Sequence, residues 1–265
     1  MAKTFVITGA SAGIGEALAL AYASRRDNVV LASRDEVALA RVAERCERAG
    51  GKALVVKTDV GDEAQCKHLI DEAVKAFGGI DVLVNNAGLT MWARFDEITD
   101  ITLFERLMRV NYLGTVYCTY HALPHLKKSK GLLVGVSSLT GKTGVPTRSA
   151  YGASKHAMQG LMDSLRVELR GAGVDVLVVS PGFVRTDVRA KALGGDGKPK
   201  EVSPREEEDA STMSLEECTD LIVRAIDRRQ REVIMTAKAK LGMWLKLIVP
   251  GLVDRIAERA VREKT

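Results

Sequence analysis

Residues 4–15 read Thr4-Phe-Val-Ile-Thr8-Gly9-Ala-Ser11-Ala-Gly13-Ile14-Gly15. A short apolar run gives way to three glycines in G-x-x-x-G-x-G spacing, then to the helical pattern Glu16-Ala-Leu-Ala-Leu-Ala-Tyr22. Glycines at such a turn let the backbone bend sharply and come close to a pyrophosphate. The next helix offers free N–H groups and the positive end of its dipole to the same anion. A glycine triad alone also fits a tight strand–helix turn, but its place between strand and helix favours a dinucleotide. The loop residues Gly9, Ser11, Gly13, Ile14 and Gly15 are therefore candidate cofactor contacts.

Working outward, strand-like runs recur at 4–8, 28–33, 53–58, 80–85, 131–137, 175–180 and 232–236. Most are continuous Val/Leu/Ile stretches, as in strands covered on both faces. Helical patterns lie between them near 13–25, 35–49, 62–77, 100–128, 150–170 and 214–229. This alternation predicts an α/β fold with a doubly wound parallel sheet and helices on both faces. Ligands of such sheets bind at the carboxyl ends of the strands. One domain over 1–265 is expected, with a polar segment over 187–213 as a substrate lid and a tail over 238–265.

The end of the second strand selects between cofactors. A carboxylate there would hold a ribose 2′-hydroxyl and repel a 2′-phosphate. The chain has Ser33-Arg34 instead, a good phosphate site, with Asp35 expected to cap the next helix. NADP(H) is thus favoured over NAD(H). Asp59-Val60 after strand three and Asn86-Ala87-Gly88 after strand four sit where a nucleotide would lie. In isolation each is equally good turn chemistry.

Strand five ends in Val136-Ser137-Ser138, and 13 residues beyond Ser138 comes Tyr151, four before Lys155. Residues i and i+4 share a helix face. A nearby ammonium favours the phenolate, so Lys155 is expected to lower the Tyr151 pKa and fit it for proton transfer. Lys155 can also hold the nicotinamide ribose hydroxyls. Ser138 can hydrogen-bond the substrate oxygen. His156 lies about 100° round the helix from Lys155 and reads as structural.

Together these features resemble the short-chain dehydrogenase/reductase family. The resemblance rests on TGASAGIG from Thr8, NNAG from Asn85, Asn111, Ser138, Tyr151 to Lys155, and Pro181-Gly182-Phe-Val184-Arg-Thr186. It implies a Rossmann-type sheet of seven strands in the order 3-2-1-4-5-6-7. It implies a catalytic tetrad of Asn111, Ser138, Tyr151 and Lys155, in which the asparagine anchors a water that relays protons through the lysine. It also implies that Pro181, Gly182, Val184 and Thr186 hold the nicotinamide. Val110-Asn-Tyr-Leu-Gly114 and Arg148-Ser-Ala-Tyr-Gly-Ala-Ser-Lys-His156 look closest to the branch of hydroxysteroid dehydrogenases and carbonyl reductases.

The reaction so implied moves a hydride between the nicotinamide and a ketone or secondary alcohol. Trp92, Leu139, Val145 and Phe183, with Leu89 and Met91, can line an apolar pocket or simply pack in the core. The lack of an arginine cluster near them speaks against a highly anionic substrate. A 3-oxoacyl-carrier-protein reductase would need a basic docking surface that the sequence does not display. A non-catalytic NADP(H)-sensing protein would not need an intact tetrad.

Bulk properties set the remaining expectations. The net charge is +5 with the basic residues scattered, which disfavours nucleic acid as a partner. Four cysteines without metal-ligand spacing read as reduced thiols in a cytoplasmic protein, with no metal. No run is long enough to span a bilayer. The cationic and apolar tail is expected to pack on the sheet or on a partner subunit, with peripheral membrane contact as the alternative. The helices over 100–128 and 150–170 carry long apolar faces, and the family resemblance implies that such helices form a subunit interface, so a homodimer or homotetramer is expected.

Overall fold

Seven short runs of Val, Leu and Ile become seven parallel strands. They are β1 (Thr4–Thr8), β2 (Asn28–Ser33), β3 (Lys52–Lys57), β4 (Val82–Asn85), β5 (Leu132–Val136), β6 (Asp175–Ser180) and β7 (Glu232–Ile234). The sheet order is β3-β2-β1-β4-β5-β6-β7, with every pairing parallel. The computed structural model describes residues 2–185, 192–200 and 212–262.

Successive strand residues point to opposite faces, and the core divides accordingly. Phe5, Ile7, Val29, Leu31, Val84 and Val134 bury one face. Helices α1 (Gly13–Ala23), α2 (Glu36–Arg48) and α7 (Leu215–Asp227) cover it. Val6, Val30, Leu83, Leu133 and Val176 bury the other. There α3 (Glu63–Phe77), α5 (Gly114–Ser129) and α6 (Ser149–Glu168) pack through Leu69, Cys118 and Met158. Burial of each such side chain contributes roughly 1.5–3 kcal/mol. All four cysteines are free and buried in these layers.

Local chemistry fixes where the helices begin. Asp35 caps α2 by accepting from the Ala38 N–H, and Asp62 caps α3 through the Ala64 and Gln65 N–H groups. Ser214 and Glu217 form a reciprocal capping box on α7. By contrast, α1 has Ala12 at its N-cap and no side-chain cap. Its first N–H groups stay open toward the sheet's switch point between β1 and β4.

One expected element is divided. The helical pattern over 100–128 folds as α4 (Thr102–Met108), a π turn over Arg109–Leu113 and α5. The extra residue of a π turn rotates the rest of the helix about its axis. Here the turn buries Asn111 completely and brings Gly114 against Val60, where an added Cβ would stand 2.8 Å from Val60 Cγ2.

The tail is made of two helices. It folds as α8 (Ala237–Ile248) and α9 (Pro250–Arg262), separated before Pro250, whose ring cannot continue α8. Leu241, Trp244, Leu247 and Ile248 are exposed on α8. Among the described residues, no helix is long and apolar enough to cross a membrane.

Candidate active site

The carboxyl ends of β1, β4 and β5 bring the chemical groups together. After β1, Gly9 adopts φ +66°, and Gly15 lies so close to the loop that a Cβ would meet the Gly9 carbonyl at 2.3 Å. Asn86 braces this turn. Its Nδ2 donates to the Thr8 and Gly9 carbonyls at 2.9 and 3.2 Å, and its N–H to Thr8 Oγ1 at 3.0 Å. Ala87 N–H donates to the same hydroxyl. A loop that leaves no room for a side chain at Gly9 or Gly15, beside an uncapped helix N-terminus, is a cradle fit for a pyrophosphate.

The end of β2 is arranged around phosphate-compatible groups. Asp35 accepts from Ala38 N–H at 2.9 Å and its own N–H donates to Ser33 Oγ at 3.2 Å. Its carboxylate is thereby committed to the helix end. Arg34 is exposed, with Nη1 4.0 Å from Asp59 Oδ2. The other Asp59 oxygen accepts from Gly61 N–H. Val60 turns its side chain into the core rather than toward the strand ends.

Around β5 the acid/base groups converge. Tyr151 stands in the first turn of α6, and Ser138 begins the short 3-10 turn Leu139–Gly141, accepting from Thr140 N–H. Lys155 is 3% exposed, and its Nζ donates to the Val136 carbonyl at 2.8 Å while lying 5.9 Å from the Tyr151 ring centre. Burial lowers the Lys155 pKa to about 8. Asn111 is fully committed. Its Oδ1 accepts from Leu89 N–H at 2.7 Å, and its Nδ2 donates to the Leu89 carbonyl and to Ser154 Oγ, each at 2.9 Å. Gly88 sits against both groups, where a Cβ would stand 3.2 Å from Asn111 Oδ1 and 3.5 Å from Lys155 Nζ.

The expectation that Lys155 lowers the Tyr151 pKa is not met. Burial raises that pKa, and the groups that oppose it are the Ser138 hydroxyl, the Arg148 guanidinium and Thr140. Desolvation of the phenolate outweighs an ammonium that is turned onto a backbone carbonyl. Tyr151 is thus held as a proton donor through the neutral range.

The apolar candidates separate. Met91 is fully buried in a third core cluster with Leu103 and Leu107, against which Leu89 and Tyr151 pack. Trp92, Leu139 and Val145 are half-buried, and Phe183 is exposed. Pro181 accepts from Leu139 N–H, Gly182 lies against the Leu139 side chain, and Val184 bridges to Met213. Thr186 and much of the expected lid over 187–213 lie outside the described residues.

Three residues of this neighbourhood were not singled out in the sequence. Gln159 Nε2 donates to Ser137 Oγ at 2.9 Å and so braces the Ser137–Ser138 turn. Ser154 joins Asn111 to the Tyr151 carbonyl. Arg148, 9% exposed, donates from Nη1 to Thr90 Oγ1 at 2.7 Å and lies over the Trp92 ring at 4.3 Å. Gln159 was in principle legible, lying one turn beyond Lys155 (i+4) on the same helix face. Arg148 carries no spacing signal, because its partners belong to another loop.

The family model of short chain dehydrogenases matches residues 3–195. The chain is a short-chain dehydrogenase. As such it is an oxidoreductase of a family that binds a nicotinamide cofactor. This short-chain dehydrogenase is 36% identical over 260 residues to an 11-beta-hydroxysteroid dehydrogenase of Pinus massoniana, covering 95% of this chain and 72% of the relative. It is also 36% identical to the 11-beta-hydroxysteroid dehydrogenase-like 4A of Arabidopsis thaliana, covering 94% and 82% of the two chains. These relatives place it in the hydroxysteroid dehydrogenase-like branch. Its fold matches a short-chain dehydrogenase/reductase of Burkholderia phymatum in complex with NAD, with a TM-score of 0.83, 27% identity and 95% of each chain covered. It also matches an alcohol dehydrogenase of the archaeon Thermococcus sibiricus complexed with 5-hydroxy-NADP, with a TM-score of 0.76, 27% identity and 89% and 96% covered.

Proposed function

We propose that this enzyme is an NADP(H)-dependent oxidoreductase that interconverts a lipophilic ketone and its secondary alcohol, acting as one domain over residues 1–265. The observation that carries this reading is the convergence of Ser138, Tyr151 and Lys155 beside the glycine cradle. When bound, the nicotinamide supplies or accepts the hydride. Gly9, Ser11, Gly13, Ile14 and Gly15 would hold its pyrophosphate. Asp59, the Val60 backbone, Asn86 and Ala87 would line the adenosine side, with Gly88 beside Lys155, and Pro181, Gly182, Val184 and Thr186 would line the nicotinamide side.

The chain's own groups then have distinct tasks. Ser138 Oγ donates a hydrogen bond to the substrate oxygen and stabilises developing negative charge. The Tyr151 hydroxyl, kept protonated by burial, delivers its proton to that oxygen in the reducing direction. Lys155 supplies a buried cation behind it, and Asn111 fixes the Leu89 backbone that borders the site. Trp92, Leu139, Val145 and Phe183 provide apolar walls for the substrate.

Choice of NADP(H) rests on Ser33 and Arg34, together with the commitment of Asp35 to its helix cap. Titration of the purified protein with NADPH and with NADH, followed by fluorescence, tests it. Tight binding of NADPH alone supports the reading, and a preference for NADH overturns it. The exposed apolar residues of α8 support assembly as a homodimer or homotetramer, which light scattering after gel filtration would measure.

A further inference from the structure

Arg148 is a buried guanidinium that, among the described residues, forms no ion pair, although Asp254 and Glu258 of α9 line the same cavity. Among the described residues no Asp or Glu lies within ion-pair distance of it. Its contacts are the Thr90 hydroxyl at 2.7 Å and the Trp92 ring face at 4.3 Å. A guanidinium carries five N–H donors, and among the described residues one of them is used. Burying a cation without a counter-charge is unfavourable, and burial here pulls the Arg148 pKa down.

The backbone is also shaped to place it. The preceding residue, Thr147, is β-branched yet sits at φ +66°, a left-handed conformation unfavourable for such a side chain. Its carbonyl accepts from Ala93 N–H at 3.1 Å, which ties this turn to the segment bearing Thr90 and Trp92. Arg148 then begins α6 three residues before Tyr151, and the two side chains interact electrostatically. A strained turn thus delivers a cation that has no ion pair among the described residues to a position over Trp92 and beside the proton donor.

We infer that Arg148 is a specificity residue that pairs with a carboxylate of the substrate, making the preferred substrate an amphiphilic oxo acid. This rests on the ketone-reductase reading above and narrows its substrate class. The apolar body of such a molecule would lie against Trp92, while its single charge meets the guanidinium. A planar fork suits a carboxylate through paired hydrogen bonds. One arginine accommodates one charge, so this fits the absence of the arginine cluster that a polyanion would require.

The test uses phenyl-substituted oxo acids with the carboxylate one, two or three carbons from the ketone, each beside its methyl ester. Wild-type enzyme, Arg148→Met and Arg148→Lys are compared by kcat/KM with NADPH. Binding of the corresponding hydroxy acids is read from tryptophan fluorescence. The wild type is expected to favour at least one acid over its ester by about 10-fold or more. Arg148→Met is expected to lower that acid about 30- to 100-fold further than the ester, chiefly through KM, and Arg148→Lys to recover part of the difference. Equal losses on acid and ester would overturn the inference and leave Arg148 as a brace for the Thr90–Trp92 wall. A wild type that prefers every ester would overturn it as well. If Arg148→Met fails to bind NADPH, the wild-type ratios and Arg148→Lys decide. Failure of wild type to reduce any acid, ester or simple ketone would instead sink the reductase reading itself.

Discussion

Lys155 Nζ donates to the carbonyl of Val136 at 2.8 Å and stands 5.9 Å from the centre of the Tyr151 ring. The cation that shares a helix face with the tyrosine is therefore anchored to the end of β5, and burial dominates the titration of both groups.

This anchoring makes stability depend on pH. The Lys155 pKa is about 8 in the folded protein against 10.5 for a free lysine. Between those values the unfolded chain holds the proton that the folded chain has released, so this group makes the fold more stable as pH rises through that window. Below it both states are charged, and the burial penalty is fully felt. Urea unfolding of wild type and Lys155→Met, each from pH 8 to 10.5, measures the effect. The stability of wild type relative to the variant is expected to rise by up to about 3 kcal/mol. A flat difference would show that Lys155 is not held at a depressed pKa.

Asp35 and Arg34 are neighbours with opposite expected effects. Arg34→Leu is expected to weaken NADPH binding about 10- to 100-fold and to leave NADH binding little changed. Asp35→Ala removes the cap on Ala38 N–H and is expected to cost about 1 kcal/mol of stability without altering the cofactor preference. A gain in NADPH affinity from Asp35→Ala would show that the carboxylate faces the nucleotide after all.

Gly15→Ala would push a methyl group into the Gly9 carbonyl. Because Gly9 and Asn86 are part of the same turn, relief requires the cradle to move. Cofactor affinity is expected to fall at least about 10-fold, with a loss of roughly 1–3 kcal/mol in stability. Calorimetric titration and thermal melting read the two effects. Unchanged affinity would mean that the loop does not hold the pyrophosphate.

Asn111→Leu removes three hydrogen bonds that join the π turn, the Leu89 backbone and Ser154. Leaving the Leu89 amide groups unpartnered is expected to cost about 2–4 kcal/mol. Turnover is expected to fall more than cofactor affinity, since Leu89 borders the catalytic side of the site. Equal losses in both would assign Asn111 a purely structural task.

The layered parallel sheet was legible because continuous apolar runs alternating with amphipathic helices admit few other folds, whereas its strand order came from the resemblance to the family. The glycine loop and the Tyr151–Lys155 spacing were legible because both are local. The features that were not legible depended on distant partners. Val136 fixes Lys155 across 19 residues, and Leu89 fixes Asn111 across 22. The π turn at Arg109–Leu113 leaves no mark in a helical periodicity that runs on through it. The setting of Arg148 was not legible because its contacts, Thr90 and Trp92, lie on a loop more than 50 residues away.

The central claim is that Tyr151 gives the proton in an NADPH-driven carbonyl reduction, and its most direct test is turnover of wild type against Tyr151→Phe. NADPH oxidation would be followed by absorbance across a panel of lipophilic ketones and oxo acids, with NADPH affinity measured in parallel. The expected result is activity in the wild type, a fall of about 100- to 10,000-fold in the variant, and nearly equal NADPH binding in both. Turnover that survives the loss of the Tyr151 hydroxyl would contradict the account.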